Sequence, residues 1–521
     1  MITFKNVSFS YEVGGQDKTI IKNVSLHIKK GECAVLCGKS GCGKTTLLRM
    51  MNGLIPHFYQ GKYSGDIWIQ GENMENATLP ELAKVVGSVF QNPKTQFFHL
   101  NTTSELAFSM ENQGIHREEM KRRIAHIAEK MGLSKILDCN IFELSGGEKQ
   151  RVACGAVYAA DSEIIILDEP SSNLDMGSIR KLSTFLKEMK QAGKTIVISE
   201  HRLWYLWGIA DSYYYMENGE ISQKYNQEKF ADLAEGLREK MGLRAVCLEQ
   251  IYKLSNEGVK IAGIGKESME NAGAGKEKEK ESMKNAGAER QKGIEIKNLV
   301  CRRKGRTVLD IPQLAIPKGA IVSIIGENGA GKSTLCNCLA GLVSCKGRLF
   351  VEGNPIEPKK RTKHSYLVMQ EAGQQLFCES VREEMMLKQE HLTKQFVDAV
   401  AEQLNLTAHM EMHPAVLSGG QKQRVVLGTA ICGKRKLLLY DEPTSGQDGE
   451  NLKRTAELIV CANENASVSM IVTHDPEFIL RCSTHLLHIE NGCVKQFLPL
   501  DKEGITYMWN VFNEKERYVL C

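Results

Sequence analysis

At 521 residues, 42% hydrophobic and 25% charged, the chain is too long for one hydrophobic core and has the composition of globular domains. Its 67 basic residues nearly balance 63 acidic ones, so no positive excess calls for nucleic acid. No window holds the roughly 18 apolar residues a membrane span needs, and "MITFKNVSFSY" lacks a basic stretch leading into an apolar one, so neither spanning nor export is expected. In chain order, "ITFKNVSFSYEV" and "KGECAVLC" then read as antiparallel strands around a glycine-rich turn, "LCGKSGCGKTTLL", which opens a helix. Short apolar runs such as "IIILD" and "TIVIS" alternate with helical stretches such as "EEMKRRIAHIAEKMG", the pattern of a mainly parallel sheet covered by helices.

The whole series then recurs. "ITFKNVSFSY" returns as "IEIKNLVCRR", "LSGGEKQR" as "LSGGQKQR" and "IIILDEP" as "LLLYDEP". The offset between copies falls from 292 at the start to 288 at the glycine-rich turns and 273 from "LSGG" onward, so a domain is duplicated with small deletions in the second copy. We divide the chain into a first domain at 1–255, a linker at 256–293 and a second domain at 294–521. The linker, rich in Lys, Glu, Gly and Ala without aromatics, reads as solvated chain spanning on the order of 35 Å. Sixteen cysteines include no C-x-x-C pair, and several lie in apolar runs, the usage of a reducing compartment.

Each glycine-rich turn fits G-x-x-x-x-G-K-[ST] between a strand and a helix: Gly38, Lys39, Ser40, Gly41, Cys42, Gly43, Lys44, Thr45 and Thr46 in the first copy. Gly326, Glu327, Asn328, Gly329, Ala330, Gly331, Lys332, Ser333 and Thr334 make the second. Such a turn converges backbone N–H groups on an anion at a helix N-terminus, so ATP phosphates are the expected ligand. Lys44 and Lys332 would reach the β and γ phosphates, while Thr45 and Ser333 would offer hydroxyls to Mg²⁺. Asp168 and Asp441, ending apolar strands, suit the same ion, and Glu169 and Glu442 beside them suit a base for the attacking water.

"LSGGEKQR" and "LSGGQKQR" ahead of "DEP" resemble the signature of ABC ATPases, and the likeness covers nearly everything outside the linker. It implies an α/β fold of two tandem P-loop ABC-type nucleotide-binding domains, each with a mainly parallel sheet, an antiparallel β subdomain and a helical subdomain. It also implies that Ser145, Gly146 and Gly147, and Ser418, Gly419 and Gly420, meet the γ phosphate bound by the opposite copy. Gln91 and Gln370 match the glutamine loop beside metal and water, His201 and His474 the switch histidine, and Asp175 and Asp448 the loop crossing to the other half. Tyr11 stands where the family stacks an aromatic ring under adenine, and Arg303 takes that place in the second copy, where a guanidinium plane can stack instead. Glu148 replaces the signature glutamine kept as Gln421. With no catalytic position lost, both sites are expected to hydrolyse ATP.

"NPKTQFF", "SEHR" and "YYYMENGEI" are similar to the fused ATPase of energy-coupling factor importers of vitamins or transition-metal ions. That resemblance implies a transmembrane coupling protein and a separate membrane substrate-binding protein as partners, with peripheral placement on the cytoplasmic face of the plasma membrane and no nucleic acid. Phe97, Phe98, Leu376 and Phe377 would form the docking surface, with core packing as the competing expectation. The alternatives are a tandem sugar-importer ATPase and a soluble ABC translation factor acting on ribosomes. A DNA-repair role would need zinc-binding cysteine insertions, which the sequence lacks.

Overall fold

Each half of the chain builds its principal sheet where the sequence places its most continuous apolar runs. The computed structural model describes residues 1–13, 15–172, 174–256, 292–303, 305–370, 372–387, 392–464 and 466–513. Within the expected linker, 257–291 lie outside the described residues. Contacts divide the chain into two units, Met1–Gln250 with Gly446–Glu450, and Ile251–Ser445 with Asn451–Cys521.

The strands of the first unit are β1 (Ile2–Val13), β2 (Gln16–Ile28), β3 (Cys33–Gly38), β4 (Lys62–Ile69), β5 (Glu72–Asn73), β6 (Val86–Val89), β7 (Ile164–Asp168), β8 (Thr195–Ser199), β9 (Ser212–Glu217) and β10 (Glu220–Asn226). Six form one sheet in the order β10-β9-β3-β8-β7-β6, parallel throughout except for the β9–β10 pair. β3, β7 and β8 are buried at every residue, as parallel strands covered on both faces must be. This corrects the antiparallel expectation for "KGECAVLC": β3 is a central parallel strand between β8 and β9. Its unbroken apolar run, with no alternation, suits a position without a solvent face.

The remaining four strands form an antiparallel sheet in the order β2-β1-β4-β5. β2 alternates buried and exposed residues along its second half, so only one face meets the core. That face packs Ile2, Phe4, Val7 and Phe9 with Leu47, Leu48 and Met51 of the helix Lys44–Met51. A helical layer follows, made of Thr102–Asn112, Arg117–Met131 and Gly146–Ala160. At its centre a Cβ on Gly155 would stand 3.0 to 3.3 Å from Leu106, Ile127 and Leu133, so a residue without one lets the helices close.

The second unit repeats the plan with β11 (Lys292–Arg303), β12 (Arg306–Pro317), β13 (Ala320–Ile325), β14 (Lys346–Val351), β15 (Asn354–Ile356), β16 (Ser365–Val368), β17 (Leu437–Asp441), β18 (Val468–Val472), β19 (His485–Glu490) and β20 (Cys493–Pro499). Its sheets run β16-β17-β18-β13-β19-β20 and β12-β11-β14-β15. Gly428, at the place of Gly155, is met by Leu404 and Met385. No helix among the described residues is long and apolar enough to cross a membrane.

Candidate functional site

In each unit the carboxyl ends of three parallel strands gather the chemistry. β3 runs into the loop that precedes the helix Lys44–Met51, β7 ends at Asp168, and β8 is followed by Glu200 and His201. The loop needs glycine at its start: Gly38 has φ 143° and Gly326 φ 142°. A Cβ there would fall 2.2 Å from the Met216 carbonyl oxygen and 2.1 Å from that of Ile489. Lys44 Nζ donates to the carbonyls of Gly38 and Lys39 at 3.0 Å each, and Lys332 Nζ to those of Gly326 and Glu327 at 2.7 and 2.8 Å. Both ammonium groups are therefore held over the loop that would cradle an anion.

Glu169 and Glu442 occupy left-handed backbone, at φ 47° and 49°, uncommon for a residue with a Cβ. Their N–H groups donate 2.9 Å bonds to the Ser199 and Val472 carbonyls, anchoring each turn to the neighbouring strand. The turn brings the carboxylates to the switch histidines: His201 Nε2 lies 3.5 Å from Glu169 Oε1, and His474 Nε2 3.5 Å from Glu442 Oε1. Gln91 Nε2 donates to Glu169 Oε2 at 3.0 Å. Burial raises Glu169, while burial and then nearby Lys44 hold His201 down at about 3, so this imidazole is neutral at physiological pH.

The residues present suit a hard cation. Burial and then the Glu169 charge push Asp168 up to about 6, and its buried Oδ1 has no hydrogen-bond partner. Such an oxygen gains from a divalent ion. In the second unit Ser333 Oγ donates to Asp441 Oδ1 at 2.9 Å, so a hydroxyl and a carboxylate already adjoin. Burial also raises Asp441. No group of three or more His, Cys, Asp or Glu gathers among the described residues.

Other expected positions fall elsewhere. Ser145 caps the helix Gly146–Ala160 in a capping box with Glu148, and Ser418 caps Gly419–Cys432 with Gln421, so both Ser-Gly-Gly turns belong to the helical layer. Asp175 caps the helix Met176–Gln191. Tyr11 packs edge-on against Phe9, with ring centroids 4.7 Å apart, whereas Arg303 lies exposed on β11. Phe98 and Phe377 stand 76% and 80% exposed, while Phe97 and Leu376 are half-buried.

Sequence reasoning missed the groups that hold the glutamine loops. Gln96 Oε1 accepts from Phe90 N at 2.9 Å, and Gln375 Oε1 from Met369 N at 2.7 Å, each bonding the residue just before the loop glutamine. Behind them, buried Glu105 accepts from Phe98 N and His99 N at 3.0 and 2.8 Å. Glu384 does the same for Phe377 N and Cys378 N at 2.8 and 2.9 Å. Equal spacing was the available signal: in both copies a Gln follows five residues, and a Glu fourteen residues, after Gln91 or Gln370. Glu200, also missed, accepts from Ser171 N at 3.3 Å and His201 N at 2.9 Å, steadying the turn that carries the histidine.

The family model described as ABC transporter matches residues 21–172 and 309–445. A putative ABC transporter ATP-binding protein of Treponema denticola is 39% identical over 506 residues, covering 97% of this chain and 98% of its own length. The putative HMP/thiamine import ATP-binding protein YkoD of Bacillus subtilis is 29% identical over 495 residues, 92% of this chain and 88% of that one. Among solved structures, the archaeal ribosome recycling factor aABCE1 in complex with the ribosomal stalk protein aP1 shares the fold over 98% of this chain and 92% of that one, with TM-score 0.63 and 19% identity. A model of ribosome-bound archaeal Pelota and ABCE1 matches 97% of this chain and 80% of that one, with TM-score 0.66 and 20% identity. These structures correct the expected partnership with a transmembrane coupling protein and a membrane substrate-binding protein. The same two-cassette fold occurs there with a ribosomal stalk protein or with Pelota, so the fold does not bring membrane partners with it.

Proposed function

This chain belongs to the ABC transporter family and is an ATP-binding, ATP-hydrolysing enzyme; from that premise we propose that both of its lysine loops serve working hydrolytic sites. The observation that carries this reading is the pairing of Glu169 with His201, and of Glu442 with His474, at the ends of strands adjoining each loop. Loop N–H groups and Lys44 or Lys332 bind the triphosphate. Thr45 with Asp168, and Ser333 with Asp441, would hold Mg²⁺, and Gln91 and Gln370 would assist there. The ion, when bound, neutralises charge on the β and γ phosphates. Glu169 and Glu442 take a proton from the attacking water, and burial fits Glu169 for this by raising its affinity for a proton. Neutral His201 donates from a ring nitrogen toward the γ phosphate without bringing a second full charge. Ser145, Gly146 and Gly147, with Ser418, Gly419 and Gly420, present helix N-terminal N–H groups to phosphate.

For the work that hydrolysis drives, import is supported by the names of relatives, among them the HMP/thiamine import ATP-binding protein. The energy-coupling factor form rests on the motif flavour of "NPKTQFF" and "SEHR". Action on ribosomes is the second reading, supported by the two-cassette fold shared with a ribosome recycling factor over 98% of the chain. Mg²⁺-dependent ATP turnover of the purified chain, abolished by joint Lys44→Ala and Lys332→Ala, tests the enzyme. Thiamine-precursor uptake in cells depleted of the chain, beside ribosome co-sedimentation of the Glu169→Gln, Glu442→Gln double variant held with ATP, separates the two roles. Lost uptake without ribosome binding supports import, and ribosome binding with normal uptake supports the other.

A further inference from the structure

The second unit carries a cluster of thiols and a guanidinium that hydrolysis does not use. Cys338 lies on the last turns of the helix Lys332–Ala340, which starts at the lysine loop, and Cys301 lies on β11, both buried. Cys345, half-buried, directly precedes β14. Arg361 opens the short helix Arg361–His364 and is only 1% exposed. Its Nη1 donates to the Cys338 carbonyl at 2.9 Å and to Cys345 Sγ at 3.0 Å, while Nε and Nη2 have no partner.

A buried guanidinium keeps its proton and needs an anion beside it. Among the described residues no carboxylate pairs with Arg361, and the group it reaches is the Cys345 sulfur. Arg361 Nη1 spans the Cys338 carbonyl and the Cys345 sulfur and so sets the two cysteines side by side, and the β11–β14 register brings Cys301 next to Cys345. Pairing with Cys338 and then the Arg361 guanidinium lower the Cys345 thiol, and the same pairing raises Cys338. The guanidinium against its sulfur favours the thiolate at Cys345 over Cys338.

The duplication supplies an internal control. Strand register equates Cys301 with Phe9 and Cys345 with Tyr63. Cys338 and Met50 each stand six residues after the loop lysine. Arg361 and Leu82 are the side chains that meet Gly341 and Gly53. Phe9, Met50, Tyr63 and Leu82 all pack in one hydrophobic core. The fold is therefore satisfied by apolar side chains at these four places, and the sulfur and charge of the second unit are additional to it. Adjacent thiols with a guanidinium against one of them suit thiol–disulfide chemistry.

We propose that Cys345 and Cys338 form a peroxide-responsive thiol pair, with Cys345 the attacking thiolate and Cys338 the resolving thiol. Cys345 Sγ, as thiolate, attacks one oxygen of hydrogen peroxide; the O–O bond breaks, Cys345 becomes a sulfenic acid, and the leaving hydroxide departs as water after taking up a proton from solvent. Cys338 then attacks the sulfenic sulfur, its own proton leaves with the hydroxyl as a second water, and an S–S bond forms. Two electrons pass from the thiols to the peroxide. The bond ties the end of the lysine-loop helix to the start of β14, giving the second cassette a covalent restraint the first cannot acquire.

The test uses the full-length protein. Reduced protein is treated with hydrogen peroxide, quenched with an alkylating agent, digested and weighed, and iodoacetamide labelling is followed against pH. A Cys338–Cys345 linked peptide should appear at peroxide levels that leave exposed Cys493 unmodified, and Cys345 should label with a midpoint well below that of Cys493. Arg361→Leu, which installs the residue the first unit uses, should slow Cys345 labelling at pH 7 at least about tenfold while ATP binding persists; Cys345→Ser should abolish the link. Labelling of wild-type Cys345 no faster than Cys493, oxidation beginning at Cys493, or Cys345 oxidised without linkage to Cys338 would each overturn the proposal.

Discussion

Glu169 and Glu442 show how one backbone conformation can carry chemistry. Left-handed φ at a residue with a Cβ costs roughly 1–2 kcal/mol, and here the turn aims a carboxylate at a histidine 3.5 Å away. Glu169→Gln keeps that shape but cannot accept a proton. Its own site should lose about 10²–10⁴-fold in turnover with ATP affinity retained, as single-turnover kinetics beside equilibrium binding would show. Asp168 carries a pH signature. Its native affinity for a proton, at about 6, exceeds the ordinary 3.8, so the stabilisation linked to its protonation is complete below 3.8 and is lost as pH rises through 6. Nucleotide-free Asp168→Asn should therefore melt roughly 2–4 °C higher than wild type at pH 7, with the difference vanishing near pH 4. The same variant should lose Mg²⁺-dependent hydrolysis. Equal melting at both pH values would contradict this account of Asp168.

At the scale of elements, loops and helices depend on small residues and hidden amides. Gly155 admits Leu106, Ile127 and Leu133 where the helical layer closes, and Gly155→Val should cost about 1–3 kcal/mol by overpacking, read as a lowered denaturant midpoint. Gln96→Ala should act differently. It frees the Phe90 N–H and loosens the loop that delivers Gln91 to Glu169, so turnover should fall while ATP affinity and melting change little. A proportional loss of affinity would show that Gln96 shapes binding instead. The parallel strands β7 and β8 were legible because short apolar runs, four residues in "IIILD" and three in "TIVIS", suit a doubly covered strand. β3 has the same character, yet its direction depends on its neighbours β8 and β9, more than 150 residues away in sequence, and short-range pattern carries no such pairing.

For the whole molecule, duplication is the main determinant, and the differences between copies are where function can diverge. If both sites hydrolyse, Glu169→Gln and Glu442→Gln should each change steady-state turnover, and the double variant should retain two bound ATP per chain with turnover near zero. A single variant with wild-type rate would assign all hydrolysis to the other copy. The sequence by itself determined the tandem P-loop architecture and the identity of the phosphate, metal and base candidates. Those chemistries need fixed residue types at short spacings, and a duplicated order makes coincidence negligible. Only tertiary structure decided that β3 runs parallel at the sheet's centre, that buried Glu105 and Glu384 pin the loops through backbone N–H groups, and that Arg361 meets Cys345. Each of these depends on atoms brought together across distant stretches of chain, where burial and desolvation, rather than local spacing, set the energy.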